Sequence, residues 1–219
     1  MPPSVHAFLE AQKRELTSRW RVAGCRDDIV AAFERIHRED FAPRSLKARA
    51  YEDAPLPVAC GQRLSQPSTM LFMLTLLDPH SGDRVLEVGA GTGFLCVWLA
   101  EIGCEVVGVE IVPELAVKAN QCVQRLGYRD RVRVFAGDGS TGWESEAPYD
   151  RIIVSAGIPE VPAHMVDQLR DGGRIVAPVG LGETRMVVLE KNGDEVSEQQ
   201  HGVFLFSPLM GKRGVSAET

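Results

Sequence analysis

The chain has 219 residues, and its 24 basic and 30 acidic side chains give a net charge of −6 at pH 7. A chain of this length fits one domain with an additional arm, and it lacks the excess of basic residues that is typical of nucleic-acid-binding domains. The composition, with 44% hydrophobic and 25% charged residues, is that of a globular protein and excludes disordered, collagen-like and coiled-coil chains.

The first third of the chain predicts helices and one long irregular connection. Apolar residues recur at helical spacing over about 4–22 and 27–36, which predicts two amphipathic helices of an N-terminal arm. Residues 43–67 sustain no period, and connections of that length are often functional. A further helix is predicted to begin at Ser65 to Pro67, because proline suits the first turn of a helix.

After residue 83 the pattern changes to short β-branched runs separated by helix-length segments. Continuous apolar strands that are mostly followed by helices indicate a parallel sheet covered on both faces. An Asn192-Gly193 turn between the last two strands predicts a hairpin. The predicted strands are 84–88, 105–109, 131–135, 151–154, 174–178, 186–190 and 203–206, and the predicted helices are 94–102, 113–126 and 162–170.

These elements predict an α/β protein with a three-layer, Rossmann-like fold. Its sheet has seven strands, is mostly parallel and ends in the late antiparallel hairpin. We divide the chain into a helical arm with the long loop, residues 1–78, and a ligand-binding core, residues 79–219, which fold as one compact unit.

A glycine-rich loop follows the first strand of this sheet, where Glu87 and Val88 run into Gly89, Gly91 and Gly93. Glycine at the end of a parallel strand lets the backbone approach a ligand where any β-carbon would collide. The spacing differs from the G-x-G-x-x-G fingerprint, which places a pyrophosphate at a helix N-terminus. The loop therefore predicts a ligand other than a dinucleotide, with a purely structural turn as the alternative.

Acidic residues follow the next two strands. Glu110 ends the second strand, where a carboxylate can accept both hydroxyls of a ribose, and Asp138, which precedes Gly139, can accept a hydrogen bond from an adenine amine. The simpler alternatives are a helix-flanking acid for Glu110 and an ordinary turn for Asp138. The coincidence of these motifs at three strand ends describes S-adenosylmethionine, and here the chain resembles the class I methyltransferases that use this cofactor.

The resemblance implies a part for each motif in binding S-adenosylmethionine, whose product would be S-adenosylhomocysteine. The glycine loop would face the amino-acid part of the cofactor, the acid of the second strand its ribose and the acid of the third strand its adenine. The implied cofactor-binding residues are Glu87, Gly89, Gly91, Gly93, Glu110, Asp138 and Gly139.

From about residue 35 to residue 211 the chain is similar, more narrowly, to protein-L-isoaspartate O-methyltransferases. The most specific segment is 61–67, since methyltransferases in general have no reason to share it. The resemblance implies the family's modified order of the last strands and methyl esterification of the α-carboxylate of isoaspartyl residues in damaged proteins. The ester would collapse to a succinimide that reopens partly to aspartate. The other segments that carry the resemblance are 41–43, 50–57, 137–139, 142–143, 172–174 and 208–211.

On the substrate side the resemblance implies that Ser65 is the catalytic residue that holds the acceptor carboxylate, with a helix N-cap as the alternative. Arg63 would add a charge-assisted contact to that carboxylate, or else be a solvated surface arginine. Gln62 and Asp53 are expected to bind substrate through the same loop, with buried hydrogen bonding inside the loop as the equal alternative. An ionised carboxylate needs no general base at pH 7, so the lack of a catalytic His or Cys motif is expected.

Departures from the family pattern leave the substrate open. Arg63, Ser68 and the segment 155–159 differ from residues that are common in bacterial members. Repair of isoaspartate in many proteins is the leading hypothesis. The alternatives are a relative dedicated to an aspartate or succinimide in one peptide, and a catalytically silent module that binds the cofactor.

The remaining features indicate the compartment and the partners. Five cysteines without a CxxC pair are typical of reduced thiols in a cytoplasm, with metal binding or nucleophilic catalysis as the alternatives. Scattered histidines predict no metal site. The run Met70 to Leu77 is too short to span a bilayer, and the first residues show no secretory signal. We expect a cytoplasmic monomer that binds isoaspartyl proteins and neither nucleic acid nor membrane.

Overall fold

The computed structural model describes residues 5–180 and 182–214. Within them the helices are α1 Val5–Val22, α2 Asp27–Arg35, α3 Pro67–Leu77, α4 Phe94–Ile102, α5 Pro113–Arg125 and α6 Ala163–Asp167. The strands are β1 Leu56–Pro57, β2 Arg63–Leu64, β3 Arg84–Val88, β4 Glu105–Glu110, β5 Val132–Ala136, β6 Tyr149–Val154, β7 Leu169–Val179, β8 Glu183–Asn192 and β9 Glu195–Leu205.

One seven-stranded sheet organises the molecule, in the order β5-β4-β3-β6-β7-β8-β9. Strands β3 to β7 pair in parallel, whereas β8 and β9 add an antiparallel hairpin, which confirms the predicted α/β class and the late hairpin. The chain runs outward from β3 to β5 and returns to β6 on the other side of β3. The carboxyl ends of β3 and β6 therefore form the topological switch point, where ligands bind in open α/β sheets.

The two faces of the sheet are covered differently. Helices α1 to α5 pack on one face, and the thinner cover of the other face comes from α6 and irregular segments. Helix α4 is buried on all sides because the N-terminal arm packs over its outer surface. Trp20 of α1 stacks on Trp98 of α4 with ring centroids 6.0 Å apart, and the Trp98 indole donates a hydrogen bond to the carbonyl of Ile29 at 2.9 Å. The proposed division at residue 78 thus falls within one continuous hydrophobic cluster and stays a prediction about folding units.

Several predicted segments differ from the structure. Strand β7 begins at Leu169, so the helix predicted over 162–170 is reduced to α6. Strands β8 and β9 extend well beyond the predicted 186–190 and 203–206, because the exposed polar stretch 195–200 gives no periodic signal. The connection 43–67 contains a 3-10 helix, Arg44–Arg49, a shorter one, Ala59–Gly61, and the antiparallel pair of β1 and β2.

Two further observations apply to residues 5–180 and 182–214. No helix there combines the length and the apolar character that crossing a bilayer requires. No group of three or more His, Cys, Asp or Glu side chains there is arranged to hold a metal ion. All five cysteines are free thiols.

Candidate active site

The loop after β3 crosses the edge of the sheet at the switch point. The backbone amides of Gly89 and Ala90 donate to the carbonyl of Val109, at 2.8 and 3.0 Å, which ties the loop to the end of β4. Gly89, Gly91 and Gly93 have φ angles of 85, 54 and 81°, a conformation that other residues rarely adopt. The sequence of the loop therefore dictates its path, and its path exposes backbone at the end of the sheet.

Glu110 joins this loop to the end of β4. Its Oε2 accepts a hydrogen bond from the Gly91 amide at 2.8 Å, and its Oε1 accepts one from the Val112 amide at 2.9 Å. These bonds fix the orientation of the carboxylate. Since each carboxylate oxygen has two acceptor sites, both oxygens can still accept a hydrogen bond from a ligand hydroxyl.

Glu87 lies buried beneath the glycine loop, with 2% of its surface exposed. The Cys96 thiol donates to its Oε2 at 2.8 Å, and the Ser155 hydroxyl donates to its Oε1 at 3.2 Å. Burial and, to a smaller extent, the charge of Glu110 raise the pKa of Glu87 to about 8, despite these hydrogen bonds. Burial also raises the pKa of Cys96, so its thiol stays protonated and available as a donor. A carboxyl group that is protonated at neutral pH is thus placed where a bound cation would favour its ionised form.

Asp138 follows β5 and is covered by the C-terminal strap, which we define as residues 207–213. The Lys212 amide donates to Oδ2 at 2.8 Å and the Ser140 amide donates to Oδ1 at 2.9 Å. Burial alone would raise the pKa of Asp138, but these hydrogen bonds outweigh it and lower the pKa below its usual value. Gly211 approaches so closely that a β-carbon there would collide with the Asp138 carboxylate. The carboxylate is therefore ionised and held by backbone of the strap.

Ser65 lies half-buried between β2 and α3. Its hydroxyl makes no hydrogen bond to the chain within residues 5–180 and 182–214, whereas its carbonyl accepts one from Nη2 of Arg38 at 2.7 Å. Gln66 is the N-cap residue of α3, and its side chain makes no capping hydrogen bond. The capping alternative for Ser65 is therefore wrong, and its hydroxyl is available to a ligand.

A cleft of about 160 Å³ lies between the loop around Ser65, the glycine loop and the strap. An adjoining hollow of about 30 Å³ extends it down to Glu87. Both are smaller than the ~300–1,000 Å³ of typical ligand pockets, because the loop and the strap close over the edge of the sheet. The predicted residues that line the cleft are Gln62, Arg63, Ser65, Gly89, Gly91 and Glu110.

Glu87 lines the hollow, and four predicted residues lie outside the lining of both the cleft and the hollow. Gly93 and Gly139 are buried against α5 and against the ends of β3 and β4, respectively, and Asp138 is covered by the strap. The Asp53 carboxylate accepts hydrogen bonds from the amide and the hydroxyl of Ser68, at 3.0 and 2.7 Å. Asp53 therefore makes hydrogen bonds within the protein, which join the loop to the first turn of α3, and its contact with substrate stays a prediction.

Ser155 and Arg38 are among the contributors to the cleft that were not predicted from the sequence. Ser155 lines it directly after β6, and a signal was available, because β6 is the strand that borders the switch point. Arg38 acts from outside the cleft through the Ser65 carbonyl, and no local pattern around it predicted that contact.

A second cavity, of about 590 Å³, is lined by residues 40–43, 58–59 and the facing side of α5. It contains none of the predicted site residues, although it shares Thr92 with the hollow above Glu87. Cavity size by itself therefore does not identify the site. The convergence of polar groups at the switch point favours the cleft as the candidate site.

Comparison with known proteins identifies the family. The family model described as protein-L-isoaspartate(D-aspartate) O-methyltransferase matches residues 11–214. The chain belongs to this family of methyltransferases. A protein-L-isoaspartate O-methyltransferase of Methanopyrus kandleri is 42% identical over 191 residues, which cover 85% of this chain and 84% of the relative. One from Methanoculleus marisnigri is 42% identical over 200 residues, which cover 90% of each chain.

A solved structure of a protein-L-isoaspartate O-methyltransferase supports the same assignment. It matches with a TM-score of 0.83 and 30% sequence identity, over 92% of this chain and 67% of the other. The resemblance that the motifs around the glycine loop and Ser65 indicated is confirmed, and so is the Rossmann-like methyltransferase fold.

Proposed function

We propose that this protein transfers a methyl group from S-adenosylmethionine to the α-carboxylate of isoaspartyl residues and so initiates their repair. Membership of the family supports the reaction. One observation carries the proposal: two groups line the same cleft. They are the free hydroxyl of Ser65, at the end of what we call the substrate loop (residues 51–65), and the Glu110 carboxylate beside the glycine loop, which can accept hydrogen bonds from a ribose.

The residues at the switch point fit this cofactor. The Glu110 carboxylate keeps acceptor sites for the two ribose hydroxyls, and the exposed backbone of Gly89 and Gly91 leaves room for the amino-acid portion. The ionised Asp138 can accept a hydrogen bond from an adenine amine in addition to its bonds with the strap. S-adenosylmethionine supplies an activated methyl group on a sulfonium. Because the cleft is narrow, we infer that the strap or the substrate loop moves aside on binding.

The protein's own task is then to orient an acceptor that is already anionic. The Ser65 hydroxyl would donate a hydrogen bond to the isoaspartyl carboxylate, and the exposed Arg63 guanidinium would add a charge-assisted contact. The carboxylate needs no proton removed, so no side chain acts as a base. Because the anion and the sulfonium neutralise each other in the transition state, a cleft without water favours the reaction. The main source of the rate acceleration is that the protein holds the two reacting groups in line.

The product explains how methylation leads to repair. A methyl ester has a better leaving group than a carboxylate, so the following backbone nitrogen attacks the ester carbon and methanol departs. The resulting succinimide is opened by water at either carbonyl, and one of the two openings restores the normal aspartyl backbone. These last steps need no further residue of this protein.

One natural departure from the family pattern, Ser68, could have supported the alternative that the enzyme serves a single dedicated peptide. Ser68, a departure from the bacterial pattern, accepts a hydrogen bond from the Trp20 indole at 2.8 Å and donates to Asp53. It serves contacts inside the protein, so it gives no support to a specialised substrate. We therefore favour isoaspartyl proteins in general as substrates, and a monomer acting in the cytoplasm without nucleic acid, in keeping with the net charge of −6.

A paired assay tests the proposal. An isoaspartyl peptide and its aspartyl isomer are each incubated with the protein and S-adenosylmethionine, and S-adenosylhomocysteine and base-labile methyl ester are measured. We expect product from the isoaspartyl peptide alone. Equal rates on both isomers would contradict the stated selectivity. Cofactor binding without turnover on isoaspartyl peptides or aged proteins would favour the silent module, and turnover of only one natural peptide would favour the dedicated enzyme.

A further inference from the structure

The loop that carries Ser65 is fastened by one buried arginine. Arg38 lies in a 3-10 turn directly after α2 and is completely buried. Its Nη1 donates to the carbonyl of Ala50, and its Nη2 donates to the carbonyl of Ser65 at 2.7 Å. The guanidinium also lies over the ring of Phe94, the first residue of α4, at 5.4 Å from the ring centroid. One side chain therefore connects the arm, both ends of the segment 51–64 and the helix that follows the glycine loop.

This arginine has an unusual set of partners. No carboxylate accepts a hydrogen bond from its guanidinium within the described part of the chain, and its Nε is buried there without a partner. Burial lowers the pKa of Arg38 to about 10, although electrostatic interactions with Tyr51 and Asp53 oppose that effect, so the group is still a cation at neutral pH. A buried cation without a direct counterion is costly to maintain. The structural benefit that offsets this cost is the pair of hydrogen bonds from Arg38 to the carbonyls of Ala50 and Ser65.

The two hydrogen bonds from Arg38 hold a loop that has little regular secondary structure of its own. Strands β1 and β2 each have two residues, and Ser65 follows β2 directly. The Ser65 hydroxyl has no partner among the described residues, so its position is set by its backbone alone. The backbone at Ser65 is in turn held by the Arg38 guanidinium at its carbonyl.

We propose that Arg38 is a positioning residue that fixes the Ser65 backbone and so aims the Ser65 hydroxyl at the isoaspartyl carboxylate. The inference rests on the proposed function, because it concerns the acceptor side of that reaction. A planar guanidinium can bond two separate carbonyls at once, which an ammonium on a flexible stem does with poorer geometry. Since misplacement of a reacting group by about 1 Å can lower a rate 100-fold, a loosened Ser65 has a measurable consequence.

A double-mutant cycle tests whether Arg38 acts through Ser65. We expect Arg38→Lys to lower kcat/KM for an isoaspartyl peptide by up to about tenfold, no more than Ser65→Ala does, with the dissociation constant of S-adenosylhomocysteine changed less than about twofold. In a Ser65→Ala background the same substitution should change kcat/KM by less than about threefold, because the hydroxyl that it misplaces is gone. An equal fold-loss in both backgrounds, or full activity of Ser65→Ala, would overturn the inference.

Arg151→Lys is the matched control for loss of a mostly buried arginine. Arg151 lies near the start of β6, away from the cleft, where it contacts Asp78 and Asp83. This variant should leave kcat/KM unchanged. A loss of activity as large as that of Arg38→Lys would show that reduced stability alone explains both, and would count against the positioning role.

Limited proteolysis measures how firmly the loop is held, independently of methyl transfer. Arg63 is exposed, and trypsin should cleave after it several-fold faster in Arg38→Lys than in the unchanged protein or in Arg151→Lys. If Arg38→Lys does not fold by circular dichroism, Arg38→Gln takes its place. If the unchanged protein methylates no isoaspartyl peptide, the proposed function fails, and the cleavage rates still decide whether Arg38 holds the loop. Equal cleavage rates would overturn the inference even if the enzyme is active.

Discussion

The two walls of the cleft are built by different means. On the cofactor wall, Gly89 and Gly91 follow β3 and Glu110 ends β4, and backbone amides hold the loop and the carboxylate in place. On the substrate wall, the segment 51–64 has only two-residue strands, and the side chains of Arg38 and Asp53 tie it to the rest of the molecule.

This difference teaches where the protein has room to adapt. Backbone hydrogen bonds at the ends of a packed sheet open only when much of the core opens, whereas a loop held by a few side chains can shift locally. Substitutions on the cofactor wall should therefore change affinity and stability together. Substitutions on the substrate wall should change turnover or peptide binding while the cofactor still binds.

The largest effect is expected at Glu87, the buried carboxyl of the cofactor wall. Its pKa is raised from the usual 4.5 to about 8, so the folded state binds a proton that the unfolded state has lost. The free energy of unfolding should therefore fall by a few kcal/mol as the pH rises from 4.5 to 8 and change no further above 8. Urea unfolding of the unchanged protein and of Glu87→Gln between pH 5 and 8 measures this. A constant difference between the two proteins across that range would contradict the raised pKa.

Glu110→Ala should act on both properties of the same wall. The Gly91 and Val112 amides would lose their acceptor, and the ribose would lose its partner. We expect S-adenosylhomocysteine to bind about 10- to 100-fold more weakly and the free energy of unfolding to fall by about 1–3 kcal/mol. Calorimetric titration and urea unfolding check this, with Glu105→Ala at the exposed start of β4 as the control. Unchanged affinity would mean that the ribose lies elsewhere.

Ser65→Ala should separate the two walls most clearly. We expect kcat for an isoaspartyl peptide to fall about tenfold, because one hydrogen bond to a charged group is lost, while cofactor affinity stays the same. Steady-state kinetics and calorimetry measure the two quantities. Ser145→Ala, at an exposed position outside the cleft, is the control. A fall in cofactor affinity of the same size would place Ser65 on the cofactor side instead.

Asp53→Asn should give the smallest effect. The amide cannot accept hydrogen bonds through both of its terminal atoms, so one of the two bonds from Ser68 is lost. We expect about 1 kcal/mol less stability and a KM for the peptide that rises a few-fold with kcat nearly unchanged. Glu52→Gln, at the neighbouring, partly exposed position, is the control. A fall in kcat with an unchanged KM would favour a direct contact between Asp53 and the reacting group.

The cofactor wall was largely predictable from sequence because its determinants are local. The bounds of α4, predicted as 94–102, and of β3, predicted as 84–88, match the structure. Glycines at positive φ and an acid at a strand end act through their own backbone, so a short window contains the whole signal. On the substrate side, by contrast, only the folded structure showed that Ser68 contacts Trp20 and Asp53 and that the capping hypothesis for Ser65 is wrong.

The amino-acid sequence by itself determined the α/β class, the switch point after β3 and the motifs that border it, since periodicity and strand-end chemistry are properties of neighbouring residues. Only the tertiary structure decided how Arg38 reaches Ser65 and how the strap covers Asp138. Those partners are 27 and 74 positions apart in the chain. A contact over such a separation exists only after the core has packed, because burial of a charge and capture of a carbonyl are properties of the folded surroundings.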